Sequence, residues 1–215
     1  MSIGTVIYGP RYCGKTAFCE AIDDAFRIYT DDWEAFKYMV DLVSPDSVVT
    51  VEDIHRLLES CTDYVCDTEN EEHPQLAGNR KSIVYKKIKQ EMKDVFFALA
   101  EKASHVFYTC SMETSHLDST LYKGTYFYPK FDWVLEDIMP NITDQTICMI
   151  PSYKTVKATN RTTGEVSRQR KEKRIMICSA RPDVYAGDST GTLPNEFCAG
   201  ESGEEAYQNY MKEME

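Results

Sequence analysis

Apolar residues in this chain gather into short runs separated by stretches of helical spacing, and the two textures alternate. Thr5 to Tyr8 is a short apolar strand that leads straight into a glycine-rich stretch. Thr16 to Phe26 carries apolar residues at helical spacing, and Arg27 to Thr30 is a second short strand ending in Asp31 and Asp32. Val48 to Val51 is a further apolar stretch, and Glu52 to Cys61 has helical periodicity through Ile54, Leu57 and Leu58. Tyr64 to Cys66 reads as a buried strand ending in Asp67, and Asn70 to Asn79, with Pro74 and Gly78, as a loop. The longest helical pattern is Ser82 to Ala103, where Ile83, Ile88, Met92, Val95, Phe96 and Leu99 recur at three- and four-residue spacing opposite a lysine face. His105 to Cys110 is a continuous apolar strand. Such alternation predicts an α/β fold, a mostly parallel twisted sheet with helices on both faces.

After Cys110 the pattern changes. Met112 to Lys130 is polar and aromatic without a clear period and reads as a long loop or flap. Trp133 to Met139 fits a short helix. Gln145 to Lys157 and Lys173 to Ser179 read as strands around the turn-like Asn160 to Glu165, a C-terminal β-hairpin with Gly164 as its turn glycine. The expected organisation is one core over 1–198 and an acidic tail or helix over 199–215.

The composition agrees with a globular chain. Of 215 residues, 42% are hydrophobic and 27% charged. No apolar run approaches the roughly 20 residues that span a bilayer. The opening MSIGTVIYGP has neither a basic leader nor a small-residue cleavage site, so no membrane association and a cytoplasmic location are expected. None of the eight cysteines has C-x-x-C spacing, which favours buried, reduced thiols, and the four histidines show no metal-ligand spacing. The net charge of −11 argues against gripping nucleic acid with the whole surface. Positive charge is nevertheless clustered in Arg80 to Lys93 and Arg161 to Arg174.

The sharpest motif is Gly9-Pro10-Arg11-Tyr12-Cys13-Gly14-Lys15-Thr16, which fits G-x-x-x-x-G-K-[ST] in full between a strand and a helix. The spacing has a physical reason. Gly9 permits a tight turn out of the strand and Gly14 a close backbone approach to phosphate oxygens. Main-chain N–H groups through Ala17 face the anion, the Lys15 ammonium reaches the β- and γ-phosphates, and the Thr16 hydroxyl ligates Mg²⁺. The chemistry implied is ATP held with Mg²⁺. It also needs an acid on a neighbouring strand. Asp67 is the expected one, acting on the metal through water, with Asp31 its rival. Glu69 and Glu113 are candidates for positioning the attacking water, and Thr109 or Ser111 for sensing the γ-phosphate.

A second constellation is LYKGTYFYPK. Tyr122, Lys123, Tyr126, Tyr128 and Lys130 interleave rings with cations, as single-stranded nucleic acid binding requires, although the same rings suit packing on a core. Arg168, Arg170 and Lys171 form a basic run that fits either a nucleic-acid backbone or a solvated hairpin edge.

With these residues in view the chain resembles the phage-encoded RecA-core P-loop ATPases, a family that includes small single-strand annealing proteins. The resemblance runs to about Phe197 through YGPRYCGKT, VVTVEDIHRLLES, TDYVCDTEN, HVFYTCSMET and RPDVYAGDSTGTLPNEF. It implies a RecA-like P-loop fold, a homo-oligomer in the cytoplasm of the host cell, single-stranded DNA as partner, and a protein partner from a replication or recombination system. In the closing motif Asp188, Thr190, Gly191, Leu193 and Pro194 keep the family pattern. Gly187 and Ser189 stand where the family carries basic residues that reach a neighbouring subunit's γ-phosphate. Arg174 and Arg181 are the candidates to replace them in trans.

The expected function is therefore an ATP-binding and hydrolysing recombination protein acting on single-stranded DNA. Two alternatives are a small-molecule nucleoside or nucleotide kinase and a nucleotide-dependent protein-binding scaffold with little turnover. The kinase reading lacks an arginine-rich lid, since Asp31 to Tyr38 has Lys37 as its only base.

Overall fold

The computed structural model describes residues 2–73, 83–118, 123–159 and 166–215, and for 154–159 and 166–171 the backbone alone. At its centre is β1 (Ile3–Gly9), whose Val6, Ile7 and Tyr8 are fully buried. Both edges of β1 have parallel partners, β4 (His105–Asp118) on one side and β6 (Gln145–Thr159) on the other. Next to β4 lies β3 (Val48–Val51), and next to that β2 (Phe26–Ile28), both parallel. Beyond β6 the sheet continues antiparallel through β7 (Val166–Ile177) and β9 (Glu196–Gly200). The order is β2-β3-β4-β1-β6-β7-β9. Strand β5 (Lys123–Pro129) folds back on the outer half of β4, and the two-residue β8 (Gly187–Asp188) pairs with β6.

Alternate side chains of β1 serve two cores, as a strand covered on both faces requires. Val6 and Tyr8 join Trp33, Phe36, Leu57, Ile88 and Phe96 from α2 (Trp33–Leu42), α3 (Leu57–Glu69) and α4 (Ile83–Lys102). Leu135 and Ile138 of the short α5 (Leu135–Ile138) complete that layer. Ile7 points the other way, with Phe107 and Ile147, toward α1 (Lys15–Glu20) and α6 (Gly203–Met214). There Phe18 packs edge-on against Phe107 and Tyr210, with centroids 5.6 and 5.8 Å apart. The acidic C-terminal segment thus forms a helix whose Ala206 and Tyr210 are buried in this core. Among the described residues no helix is long and apolar enough to cross a membrane.

Three elements differ from the sequence reading. Tyr64 to Cys66 is not a strand. Leu57, Cys61, Thr62, Val65 and Cys66 form the buried stripe of α3, and a three-residue apolar run does not by itself distinguish a strand from a buried helix turn. The second is α2, which lies in the acidic and aromatic stretch after β2. Asp32 caps it by accepting from the Ala35 N–H at 2.6 Å, and Trp33, Phe36 and Val40 supply its buried stripe. Third, where described, Met112 to Lys130 is not a loop but the β4–β5 hairpin, paired from Met112↔Pro129 to Asp118↔Lys123. Burial along its outer β4 strand alternates residue by residue without a fully buried face, so no hydrophobic period marks it in the sequence. The second hairpin is present as β6–β7, paired out to Thr159↔Val166. Its turn at 160–165 lies outside the described residues.

A buried polar network ties the sheet to α6. The Thr5 hydroxyl donates to Gln145 Oε1 at 2.9 Å, and Tyr210 donates to the same oxygen at 2.7 Å. With the Thr5 proton so used, the 2.9 Å contact from His105 Nε2 to Thr5 Oγ1 is a donation from a neutral ring. Burial holds the His105 pKa down at about 4. The folded state therefore disfavours the imidazolium. Stability from this group is complete above the unfolded value near 6.5 and is lost as the pH falls through about 4. The expected loss is on the order of 2–3 kcal/mol. Urea titrations of the wild type and His105→Gln between pH 7 and 4 check this, because the variant should show a shallower decline across that window.

Candidate functional site

The site begins where β1 runs out of room. A side-chain carbon built on Gly9 would stand 2.1 Å from the Met149 carbonyl oxygen of β6, so only glycine ends the strand here. The chain then turns, with Cys13 N–H donating to Pro10 O at 3.4 Å, Tyr12 at φ 63° and Gly14 at φ 104°. Left-handed backbone at a tyrosine is uncommon and costs on the order of 1 kcal/mol or more. The Tyr12 ring is 93% exposed. Lys15 folds back over the turn, donating to Gly9 O at 3.0 Å and Pro10 O at 3.2 Å. Arg174 braces the turn from β7. Its Nε donates to Cys13 O at 2.7 Å, another of its guanidinium nitrogens donates to Glu201 O, and the side chain lies where a carbon on Gly14 would go.

The acids come from β3. The run Val48 to Val51 ends in Glu52 and Asp53, one strand beyond β4. Glu52 is buried, with Thr16 near enough to favour its charged form. Burial raises its carboxyl above the ordinary range, against that influence of Thr16, and Asp53 and Glu20 add to the rise. Asp53 is itself held at φ 54°, with its N–H donating to Thr109 Oγ1 at 3.1 Å. A cavity of about 630 Å³ opens over the loop, lined by Arg11, Lys15, Thr16, Asp53, Arg56 and Ser111 among others. Its donor set suits a magnesium ion shared with phosphate. The Thr16 hydroxyl and the Asp53 carboxylate line it, with Glu52 buried nearby, and Mg²⁺ is usually held by one or two carboxylates plus substrate oxygens. Among the described residues no group of three or more His, Cys, Asp or Glu could hold a metal by itself.

The remaining expectations fare differently. Gly9 to Ala17 form the loop and the start of α1 as one unit. Asp67 does not end a strand. It is exposed on α3 and lines a separate cavity with Asp32, Trp33 and Thr68. Glu69, at the end of the same helix, pairs with Lys87 at 2.8 Å. Glu113 lies on the β4–β5 hairpin against Tyr128, whose phenol is raised by burial and by hydrogen bonding to that carboxylate. Sequence reading passed over Glu52 and Asp53 by assigning them to the helix that follows, although VVTVED carries the signal of an apolar strand ending in two acids.

Of the nucleic-acid candidates, Tyr126 and Tyr128 sit two residues apart on β5 with rings stacked at 6.1 Å. Lys123 pairs with Asp118 at 2.8 Å. Lys130 lies at the foot of the hairpin, its N–H donating to Ser111 O at 2.8 Å, and lines the adjoining cavity with His55 and Arg56. Tyr122 lies outside the described residues, as do the side chains of Arg168, Arg170 and Lys171. Arg174 is engaged with its own loop, and Arg181 pairs with Glu196.

Gly9→Ala tests the steric basis of the site. The added carbon meets backbone rather than a mobile side chain, so a loss of about 2–3 kcal/mol is expected. That corresponds to a melting temperature lower by about 5–10 °C. A wild-type melting curve for the variant would show that the strand end has slack that the close contact denies.

No protein-family model matches the sequence and no curated protein matches it, so the chemistry of the site stands on its own residues.

Proposed function

We propose that the chain is a magnesium-dependent P-loop nucleoside triphosphatase that binds ATP, with loop and acids arranged as in a RecA-like core. The observation that carries this reading is the convergence of Lys15 and Thr16, which follow β1, with Asp53, which follows β3, on one cavity, the buried Glu52 preceding Asp53 in the chain. These segments are more than thirty residues apart in sequence, and the parallel sheet brings them together at the carboxyl ends of its strands. That is where ligands bind in open α/β sheets.

The roles follow from the chemistry. Main-chain N–H groups of the loop and the Lys15 ammonium hold the phosphates. To do so Lys15 exchanges its contacts to Gly9 O and Pro10 O for phosphate oxygens. Thr16 and Glu52 hold the metal, which supplies charge neutralisation at the phosphates. Asp53, fixed by Thr109 and facing the cavity, orients or deprotonates the attacking water. Ser111, at the end of the core part of β4, offers a hydroxyl to the terminal phosphate.

Lys15→Ala is expected to weaken ATP binding about 10- to 100-fold by calorimetry, with the circular dichroism of the fold retained. Unchanged affinity would remove the site. Glu52→Gln should cost about 10- to 100-fold in magnesium-dependent turnover. Asp67→Asn should turn over ATP within about twofold of wild type, and the reverse pattern would restore Asp67 as the metal-side acid.

A finer reading takes single-stranded DNA as partner, with Tyr126 and Tyr128 as the stacking platform. What favours it is the pair of stacked rings on a ribbon that rises from the strand beside the loop. Replacing both tyrosines by alanine should weaken oligonucleotide binding by about 1–3 kcal/mol per lost base stack. Affinity should also fall steeply with added salt in a fluorescence anisotropy titration. A flat salt response, or no binding, would reject this partner.

A further inference from the structure

We propose that Arg56 is the cation that meets the terminal phosphate of the bound nucleotide, supplied in cis from the acid-bearing turn of the same chain. The inference rests on the nucleotide reading above and goes beyond it by assigning the group that distinguishes a triphosphate from a diphosphate.

Four observations converge on this residue. First, its place: Arg56 closes the 3-10 turn Ile54–Arg56 directly after Glu52 and Asp53 and lines the cavity shared by Lys15, Thr16 and Ser111. Second, its base is rigid. Arg56 N–H donates to Asp53 O at 2.9 Å, Asp53 N–H is held by Thr109, and the fully buried Ile54 anchors the turn in the core. Third, its side chain is available. The only ion pair it makes among the described residues is a long one, 3.9 Å from Nε to Asp53, and the side chain is 49% exposed. An exposed pair at that distance contributes little and breaks readily.

Fourth, two other arginines are occupied. Arg174 holds Cys13 O and Glu201 O, and Arg181 holds Glu196, whereas Arg11 lines the cavity from the loop itself and is the rival that the test must separate. Electrostatics also calls for a cation here. Glu20 and Asp53 line the same cavity and Glu52 lies buried next to Asp53 in the chain, so the loop cations Lys15 and Arg11 would face a triphosphate against these carboxylates. A guanidinium on a fixed turn offers phosphate a planar pair of donors.

The test is a comparison of ATP and ADP affinities in magnesium by isothermal calorimetry for the wild type, Arg56→Ala and Arg56→Lys. Loss of the guanidinium should weaken ATP about 10- to 100-fold and leave ADP within about twofold, with Lys intermediate. An unchanged ATP-to-ADP ratio in Arg56→Ala overturns the assignment, as does a collapse of that ratio in Arg11→Ala alone. A wild type that binds neither nucleotide overturns instead the reading on which the proposal rests. Mixing separates cis from trans. Arg56→Ala and Lys15→Ala proteins, combined in equal amounts, should stay as inactive as either alone. Recovered ATP turnover in the mixture would place the arginine in a neighbour's site and defeat the proposal.

Discussion

The contact between the backbone at Gly9 and the Met149 carbonyl is the constraint from which the site follows. With β4 on one edge of β1 and β6 on the other, the strand cannot shift sideways, and at its last residue the space for a side chain is already filled by main chain. The polypeptide has to leave the sheet there, in a turn tight enough to need left-handed backbone at Tyr12 and Gly14. The position of Lys15, the emergence of Thr16 beside Glu52, and the packing of Phe18 onto Phe107 are set by that exit. Because interiors pack at crystal-like density, such a contact does not relax gradually.

Charge gives the site its second constraint. The chain is acidic overall, and the cavity keeps that character through Glu20 and Asp53, with Glu52 buried next to Asp53 in the chain. A buried carboxylate raised by desolvation is a poor neighbour for phosphate until a cation lies between them. Under the proposed function, these carboxylates would favour the metal together with the phosphates over the phosphates alone. The ammonium of Lys15, already satisfied by two carbonyls, adds a cost to phosphate binding equal to the contacts it must give up. Affinity at this loop is a difference between two hydrogen-bonded arrangements and not the full worth of a lysine–phosphate pair.

What the sequence revealed and concealed divides along physical lines. The glycine-rich loop was legible because its spacing is dictated by sterics local to eight residues. Strand β1 was legible as a short continuous apolar run before the glycine-rich loop, and helix α4 by its strong three- and four-residue periodicity. The two acids of β3 were concealed by a boundary. Glu52 and Asp53 read equally well as the first turn of a helix, and only the pairing of Val51 with Ile28 and Tyr108 shows that the strand runs up to them. Asp67 misled for the opposite reason, since Tyr64 to Cys66 is apolar enough for a strand while its burial depends on residues four and eight positions earlier. The β6–β7 hairpin was legible from its two strand patterns around Gly164, whereas the β4–β5 hairpin was hard to read because its outer half has no fully buried face, so period two is absent from its composition although present in its hydrogen bonds.

Among the described residues, polar side chains tie both ribbons to the loop or to the strand that leads into it. The β6–β7 ribbon carries Arg174, whose guanidinium holds Cys13 O. The β4–β5 ribbon is reached from β1 itself, where the Tyr8 hydroxyl, one residue before Gly9, donates to Tyr185 O at 2.6 Å and Phe127 O at 3.3 Å. Phe127 and Tyr185 are in turn joined by a backbone hydrogen bond of 2.9 Å. A partner that shifted either ribbon would therefore strain or release bonds that set the shape of the loop, and a ligand bound at the loop would act on the ribbons to the same extent, since coupling between two sites is reciprocal. The two tethers reach opposite ends of the turn, Tyr8 before its first glycine and Arg174 at the residue before its second. The loop is thus held at both ends, and any rearrangement confined to its middle falls on Tyr12, the residue whose backbone is already strained and whose ring is already exposed.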